Sequence, residues 1–314
     1  MRAVTIREKE VALEEHPDPL PGAGEVLVRV RAAGLNGADM MQRRGLYPAP
    51  AGSPPDIPGL ELAGEVAALG DGAERFEIGD RVMAIVGGGG QAELATVHER
   101  QLMGVPAGLD WPSAGGLPEV FTTAHDALFT QAELRPGERL LVHGGAGGVG
   151  TAAIQLASAV GAAVTATVRH EELREQVAGL GAEAIASEEF ADHGPFDVIL
   201  ELVGAVNLAE NLRALATGGR IAVIGVSAGA TAELNMLALM GKRARIHGST
   251  LRARPLEEKA IAARRLEREV LPLFEAGRLR VPLAETFPLS EAPAAYERFA
   301  AGGKLGKIVL VVQS

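Results

Sequence analysis

The chain has 314 residues, of which 47% are hydrophobic and 22% are charged, and its formal net charge is −10. This balance is typical of a globular protein of about two domains, and the absence of a long basic run argues against nucleic acid or an anionic membrane surface as a partner. The lack of cysteine excludes disulfides, thiolate catalysis and cysteine-ligated zinc. The N-terminus lacks the apolar segment of a signal peptide, and no apolar run reaches membrane-spanning length, so we expect a soluble cytoplasmic protein.

About the first hundred residues predict short strands separated by glycine and proline, which is the pattern of a β-rich module. Val26–Arg31 alternates between apolar and polar residues, as a half-buried strand does. Further strands are predicted at 61–69, 82–86 and 91–97.

Strands and helices alternate after Pro118. A helix is predicted at 121–131, and a strand then begins at Leu140. Strands are further predicted at 163–168, 182–186, 197–203, 220–225 and 245–249, with helices at 151–160, 171–180, 207–216 and 234–240. This alternation predicts a doubly wound parallel sheet with right-handed crossovers.

The last sixty residues have a different pattern, with a long amphipathic helix at 257–276, a short helix at 288–301 and a strand at 307–312. Acidic residues interleave with the arginines of the long helix, which favours a solvated face over a nucleic-acid recognition helix. A lone strand and helix could not bury their apolar faces, so we expect this tail to pack on the first module.

A glycine cluster follows the strand that begins at Leu140. It contains the pattern G-x-G-x-x-G at Gly145, Gly147 and Gly150, and a helical pattern starts immediately at Thr151. Glycines let the backbone approach a pyrophosphate, and the free N–H groups at a helix N-terminus attract anions. The order strand, glycine turn, helix therefore predicts a dinucleotide-binding site.

Several stretches along the chain form a recognisable set, namely Ala33–Asp39, Met41–Pro48, Pro58–Val66, Gly79–Val82 and Gly144–Gly150. Together they resemble the medium-chain dehydrogenase/reductase superfamily, in its zinc-independent quinone oxidoreductase (zeta-crystallin-like) branch. Other stretches are similar to the subgroup of the p53-inducible quinone oxidoreductase: Gly88–Ala92, Leu117–Val120, Thr123–Ala124, Thr250–Arg254 and Leu305–Leu310.

The resemblance implies an α/β protein of two domains. A GroES-like, β-rich catalytic domain would comprise residues 1–120 and 254–314, and a Rossmann domain with a doubly wound parallel sheet would comprise residues 121–253. The resemblance also implies a homodimer joined largely through the Rossmann sheets, with a small molecule as the substrate.

This chain has different residues where zinc-dependent relatives carry their metal ligands. Those relatives carry Gly-His-Glu where this chain has Gly59-Leu60-Glu61, and a cysteine ligand near the position of Asn36. Leucine cannot bind a metal, and the seven histidines form no ligand cluster. We therefore expect no metal. Without a Lewis acid, reduction of an electron-poor quinone or enone is favoured over alcohol oxidation.

The residues after the strand predicted at 163–168 indicate which nicotinamide cofactor the protein uses. An NAD site carries an acidic residue at this strand end, whereas this chain has Arg169 and His170. Arginine could pair with a 2′-phosphate, which favours NADPH, although a solvated surface arginine is the alternative.

Two residues are candidates for the reaction centre by their family position. The Tyr47 hydroxyl could donate a hydrogen bond to a quinone oxygen and stabilise its developing charge, or Tyr47 could simply fix its loop. Asn36 could orient the nicotinamide ribose or the substrate, or act as a turn residue.

The resemblance implies that the other cofactor contacts come mainly from strand ends and loops. The full set is Asn36, Thr123, Gly145, Ala146, Gly147, Gly148, Val149, Arg169, His170, Gly225, Val226, Ser227, Thr250, Leu251, Arg252, Gly306 and Lys307. Of these, Thr123 could instead bond its own helix backbone, and Lys307 could be a surface cation.

The sequence therefore predicts a zinc-independent NADPH-dependent quinone oxidoreductase that transfers hydride from NADPH to a quinone. One alternative is an NADPH-dependent reductase of activated carbon–carbon double bonds, and another is a non-catalytic NADPH-binding protein. An enoyl reductase module of a polyketide or fatty-acid synthase is disfavoured by the free-standing length of the chain.

Overall fold

The structure, a computed structural model, describes residues 1–312. Its strands are β1 Arg2–Arg7, β2 Glu10–Glu15, β3 Glu25–Gly34, β4 Glu61–Leu69, β5 Arg81–Ile85, β6 Leu94–His98, β7 Leu102–Gly104, β8 Arg139–Val142, β9 Ala163–Thr167, β10 Glu183–Ile185, β11 Phe196–Glu201, β12 Leu215–Val223, β13 Arg245–Gly248, β14 Leu283–Pro288 and β15 Lys307–Val311. Its α-helices are α1 Gly37–Arg43, α2 Trp111–Gly116, α3 Pro118–His125, α4 Gly148–Ala159, α5 Arg174–Ala178, α6 Leu208–Ala214, α7 Met236–Lys242, α8 Leu256–Glu269, α9 Leu271–Glu275 and α10 Ala292–Ala301.

Contacts between residues divide the chain into two units. Unit 1 contains residues 1–122, 251–302 and the residues from 307 onward, and unit 2 contains residues 123–250 and 303–306. The predicted domain boundaries assigned residues 121–122, 251–253 and 303–306 to the other unit.

Unit 2 is built on a parallel sheet with the strand order β10-β9-β8-β11-β12-β13. Its central strands are continuous apolar runs because helices cover both faces of such a sheet, as in β11, where Val198, Ile199 and Leu200 are fully buried. The strand order reverses direction between β8 and β11, and ligands of this fold class bind at the carboxyl ends of the strands at that point. The predicted doubly wound parallel sheet is confirmed.

The helices of unit 2 differ in detail from the prediction. The segment expected to be one helix at 121–131 is α3 followed by a π-helical turn at Asp126–Gln131. The helix expected at 171–180 is a 3₁₀ turn at Glu171–Leu173 followed by the short α5.

Unit 1 is built on a mostly antiparallel sheet. Its strand order is β14-β15-β3-β4-β5-β7, and β6 also pairs with β3. The side chains on one face, such as Val28, Leu62 and Val82, form a fully buried core. The predicted β-rich, GroES-like module is therefore present.

A hairpin of β1 and β2 opens the chain and was not predicted as a whole. Its two turn residues are Glu8 and Lys9, which have positive φ values of 51° and 72°. Such turns usually carry asparagine or glycine, and neither residue is present at these two positions to indicate a turn.

The C-terminal tail joins unit 1, as predicted. Strand β15 pairs antiparallel with β3, and α10 packs into the same apolar cluster as Leu35 and Val4. The predicted long helix at 257–276 is divided at Val270 into α8 and α9. Pro272 is the cause, because its ring clashes with the carbonyl four residues earlier and it has no N–H to donate.

Within residues 1–312, no helix is long and apolar enough to cross a membrane.

Candidate functional site

The glycine turn of unit 2 lies between β8 and α4, as predicted. Gly147 is the N-cap residue of α4, and its backbone N–H donates to the Gly144 carbonyl at 3.0 Å. A Cβ atom added at Gly145 would lie 2.8 Å from the Cβ atom of Ala166, and one added at Gly150 would lie 2.4 Å from the Gly144 oxygen. The turn therefore packs so closely that side chains are sterically excluded at Gly145 and Gly150, while Gly147, Gly148 and Val149 at the N-terminus of the 12-residue helix are partly exposed.

The segment 303–306 lies against this turn. The backbone N–H of Gly306 donates to the Ala146 carbonyl at 2.8 Å, and Gly306 forms a parallel bridge with Gly147. Gly306, predicted from family position, is thus brought together with the glycine motif inside unit 2. Gly148 and Val149 form the first turn of α4.

Arg169 and His170 follow β9 in unit 2. Arg169 is exposed, and its Nη2 lies 3.3 Å from His170 Nε2. His170 Nδ1 lies 3.4 Å from a carboxylate oxygen of Glu172, and Gly303 lies against the His170 ring. The guanidinium and the imidazole thus form an accessible basic pair one strand away from the glycine turn.

A buried polar network lies beneath the strand ends of unit 2, and sequence reasoning missed it. The Asn211 amide donates to Glu201 Oε2 at 2.8 Å, so its carbonyl oxygen faces His143, whose Nε2 donates to it at 2.8 Å. Burial lowers the pKa of His143 below 6.5, although Glu201 and Asn211 oppose this effect. His143 is therefore neutral at neutral pH, and its role in this network is structural.

Glu201 shapes the loop that follows β11. Its Oε1 accepts the backbone N–H groups of Val203 at 2.6 Å and Gly204 at 2.8 Å, and its own carbonyl accepts the N–H of Gly225 at 3.1 Å. The predicted Gly225 is thereby held at the end of β12. A carboxylate at the end of an apolar strand is the signal that could have identified this residue.

The remaining residues of unit 2 that were predicted to contact the cofactor lie after β12, after β13 and in α3. Val226 and Ser227 are exposed after β12, and the Ser227 hydroxyl donates to the Val203 carbonyl at 3.3 Å. Thr250 is exposed after β13, and Thr123 is buried in α3.

Asn36 lies between β3 and α1 in unit 1 and is the N-cap residue of α1. Its backbone N–H donates to Asp39 Oδ2 at 2.8 Å, in a capping box. Its amide nitrogen donates to the Gly34 carbonyl at 3.3 Å and to Glu61 Oε1 at 2.9 Å. Asn36 is 8% exposed, so these bonds fix its side-chain orientation.

Lys307 is a buried cation beside Asn36. Its Nζ donates to the Leu35 carbonyl at 2.7 Å, to Asn36 Oδ1 at 2.7 Å and to Glu61 Oε1 at 2.6 Å. The second oxygen of Glu61 accepts the backbone N–H of Glu119 at 2.8 Å. Lys307 is therefore not a surface cation, and its three N–H donors are all used within unit 1.

This cluster does not fit a zinc ion. Leu60 is buried, and the side-chain oxygens of Asn36 and Glu61 already accept hydrogen bonds from the Lys307 ammonium group. Across residues 1–312, no group of three histidine, cysteine, aspartate or glutamate side chains could hold a metal ion.

Asp39 is a fully buried carboxyl in α1. Burial raises its pKa from 3.8 to about 6, although the N–H groups of Asn36 and Gly59 and the charges of Lys307 and Arg252 favour the ionised form. Gln91 Nε2 lies 3.4 Å from Asp39 Oδ2.

Tyr47 and Arg252 form a contact in unit 1 that the sequence did not indicate. The Arg252 side chain is buried, and its Cζ lies 5.0 Å from the centre of the Tyr47 ring. Its Nη1 donates to the Tyr47 carbonyl at 2.8 Å. Burial raises the pKa of the Tyr47 phenol, although the charge of Arg252 opposes this effect. The neighbouring Leu251 is also buried.

Comparison with known proteins identifies the family. The model of the alcohol dehydrogenase GroES-like domain matches residues 22–128, and that of the zinc-binding dehydrogenase matches residues 176–310. The chain is 33% identical to the quinone oxidoreductase of Homo sapiens over 308 residues, which covers 94% of this chain and 91% of the human protein.

Solved structures agree with this result. An alcohol dehydrogenase superfamily protein from Novosphingobium aromaticivorans has a TM-score of 0.89 and 31% identity, over 100% of both chains. The quinone oxidoreductase of Pseudomonas syringae pv. Tomato DC3000 has a TM-score of 0.87 and 28% identity, over 99% of both chains. The chain therefore belongs to the medium-chain dehydrogenase/reductase superfamily, whose members are oxidoreductases that use a nicotinamide cofactor.

Proposed function

We propose that this protein is a zinc-independent NADPH-dependent quinone oxidoreductase. The observation that carries the proposal is the buried Lys307–Glu61–Asn36 cluster, in which a protein cation occupies the oxygens of Asn36 and Glu61 next to Leu60, the residue that replaces the histidine of zinc-dependent relatives. Without a Lewis acid to form an alkoxide, the site suits an acceptor that already takes hydride readily, such as a quinone. The identity with human quinone oxidoreductase over most of the chain supports the same class of substrate.

Residues of unit 2 fit the cofactor. The turn Gly145–Val149 has the close backbone approach that a pyrophosphate needs, together with the open N-terminus of α4. The exposed Arg169 and the adjacent His170 could bind a 2′-phosphate, and neither is the acidic residue that accepts the ribose hydroxyls in an NAD site. When bound, NADPH supplies the hydride, and the protein mainly positions the reactants.

Tyr47 is the residue that we propose to contact the substrate during catalysis. It is partly exposed, so its hydroxyl can meet a ligand, and its phenol is protonated at neutral pH, since burial raises a pKa whose ordinary value is already 10.0. A phenol can donate one hydrogen bond to a quinone oxygen as charge develops there. Asn36, with its orientation fixed by Glu61 and Lys307, is proposed to orient the nicotinamide ribose or the substrate.

Replacement of Tyr47 by phenylalanine tests this assignment. The change should lower kcat/KM for the quinone by about tenfold to thirtyfold, or 1–2 kcal/mol, while the NADPH dissociation constant stays the same. The second tyrosine offers a matched control, because Tyr296 is buried and its hydroxyl donates to Gln91 at 2.9 Å. Tyr296→Phe should leave quinone kinetics intact. If kcat/KM for the quinone were unchanged in Tyr47→Phe, the role of Tyr47 would be to fix its loop and not to contact the substrate.

We also propose a homodimer that forms through the edge of the unit 2 sheet. Strand β13 is the terminal strand of that sheet, and the adjoining α7 exposes Met236, Leu237 and Met240, with Leu237 80% exposed. An apolar helix beside a free strand edge is a surface that a second copy would cover. Leu237→Glu should shift sedimentation from dimer to monomer, and a monomeric starting protein would contradict the proposal.

A further inference from the structure

We propose that Arg252 is a positioning residue that holds Tyr47 in the orientation it needs to contact the substrate. This inference rests on the proposed function and adds a role for Arg252 to it. The family resemblance implies only that Arg252 contacts the cofactor. In the structure, its hydrogen bonds go to unit 1 itself.

The guanidinium joins three segments of unit 1. Its Nε donates to the Gly87 carbonyl after β5 at 2.7 Å, and its Nη2 donates to Gln42 Oε1 in α1 at 2.5 Å. Its Nη1 donates to the Tyr47 carbonyl at 2.8 Å. The Arg252 side chain is 2% exposed, so water does not compete effectively for these three acceptors.

The same group also restrains the aromatic ring. The Cζ atom of Arg252 lies 5.0 Å from the centre of the Tyr47 ring, within the range of a cation–π interaction. One planar group thus fixes both the backbone and the ring of Tyr47. Lysine could not replace it, because an ammonium is a point charge on a flexible stem and cannot reach three acceptors in a plane.

The charge of Arg252 has a consequence for the Tyr47 phenol. Burial raises the pKa of this phenol, and Glu119 contributes in the same direction, whereas Arg252 lowers it. A nearby cation makes the hydroxyl a stronger hydrogen-bond donor to an oxygen that gains negative charge. Arg252 therefore affects both where the phenol lies and how well it donates.

The first test measures the contact without relying on turnover. The chain contains two tyrosines, so biosynthetic 3-fluorotyrosine places one ¹⁹F reporter at Tyr47, and Tyr296→Phe identifies its signal. Arg252→Lys should change the chemical shift and the linewidth of the Tyr47 signal. Arg81→Lys is the matched control, because Arg81 stacks on the Trp111 ring at 4.2 Å elsewhere in unit 1 and should leave the signal unchanged.

The second test separates positioning from cofactor binding. Arg252→Met should lower kcat for quinone reduction by about tenfold and leave the NADPH dissociation constant within about twofold. In a Tyr47→Phe background, the same change should have an effect of less than about twofold, because the group through which Arg252 acts is already absent. If Arg252→Met fails to fold, Arg252→Lys replaces it in the same cycle and should show the same non-additivity.

Two results would overturn the inference. One is an additive effect of the two substitutions on kcat. The other is an NADPH dissociation constant that rises tenfold or more while the ¹⁹F signal of Tyr47 stays unchanged, which would make Arg252 a cofactor contact. A protein that reduces no quinone, but whose Tyr47 signal responds to Arg252→Lys, would refute the proposed function and retain Arg252 as the anchor of Tyr47.

Discussion

Replacement of Lys307 by methionine should strongly destabilise unit 1. The Nζ atom of Lys307 donates to Leu35, Asn36 and Glu61, and both charged side chains of the Lys307–Glu61 pair are almost fully buried, with 3% and 0% exposure. Methionine fills a similar volume, but it leaves the Glu61 carboxylate in the interior without a cation. Removal of one partner of a buried ion pair costs about 3–5 kcal/mol.

The assay uses the single tryptophan. Trp111 lies in α2, which packs against β3 and β15 of the same unit, so its fluorescence reports on the urea unfolding of unit 1. The expected result for Lys307→Met is a free energy of unfolding lower by about 3–5 kcal/mol. A second substitution, Glu61→Gln, should restore part of this loss, because it removes the unpaired charge.

A half-buried ion pair on the same sheet provides the control. Arg31 and Glu65 are 2.8 Å apart, with side chains 23% and 32% exposed, so Arg31→Met should cost no more than about 1 kcal/mol. If Lys307→Met were as mild as this control, Glu61 would have access to water or another partner, and the account of the cluster would be refuted.

Three further predictions concern the cofactor, the metal and pH. Arg169→Ala should raise the KM for NADPH about tenfold to a hundredfold and that for NADH far less, and equal effects on both would contradict a 2′-phosphate contact. Exhaustive chelation should leave quinone reduction unchanged, whereas loss of activity together with stoichiometric zinc would argue for a metal enzyme. Because burial raises the pKa of Asp39 from 3.8 to about 6, the unfolded chain loses this proton first, and the free energy of unfolding should fall by about 3 kcal/mol from about pH 4 to pH 6 and then level off. Asp39→Asn should remove this slope in urea titrations, and a slope that persists would place its origin elsewhere.

Features with a local signature could be predicted from the sequence. The strand, glycine turn and helix around Gly145 lie within about twenty residues, and the steric reason for glycine at these positions is local. The alternation of apolar strands and amphipathic helices likewise predicted the parallel sheet. The hairpin at Glu8–Lys9 was missed because its turn has no glycine or asparagine.

The buried polar groups could not be predicted, because their partners are distant in the chain. Lys307 and Glu61 are 246 positions apart, and Arg252 and Tyr47 are 205 positions apart. Periodicity identifies which face of an element is apolar, but it does not reveal which charged residue will be buried with a partner. The family position of Lys307 and Arg252 suggested a cofactor contact, which stays a prediction, but it gave no indication of the hydrogen bonds that both residues make within unit 1.

The rate of NADPH oxidation against a mixed panel of quinones and enones, with NADH in parallel, distinguishes a quinone oxidoreductase from the alternative functions. We expect rapid oxidation of NADPH by quinones and a clear preference for NADPH over NADH. Activity with enones alone would assign the site to reduction of carbon–carbon double bonds. Binding of NADPH without oxidation by any acceptor on the panel would contradict the claim that this protein is a quinone oxidoreductase.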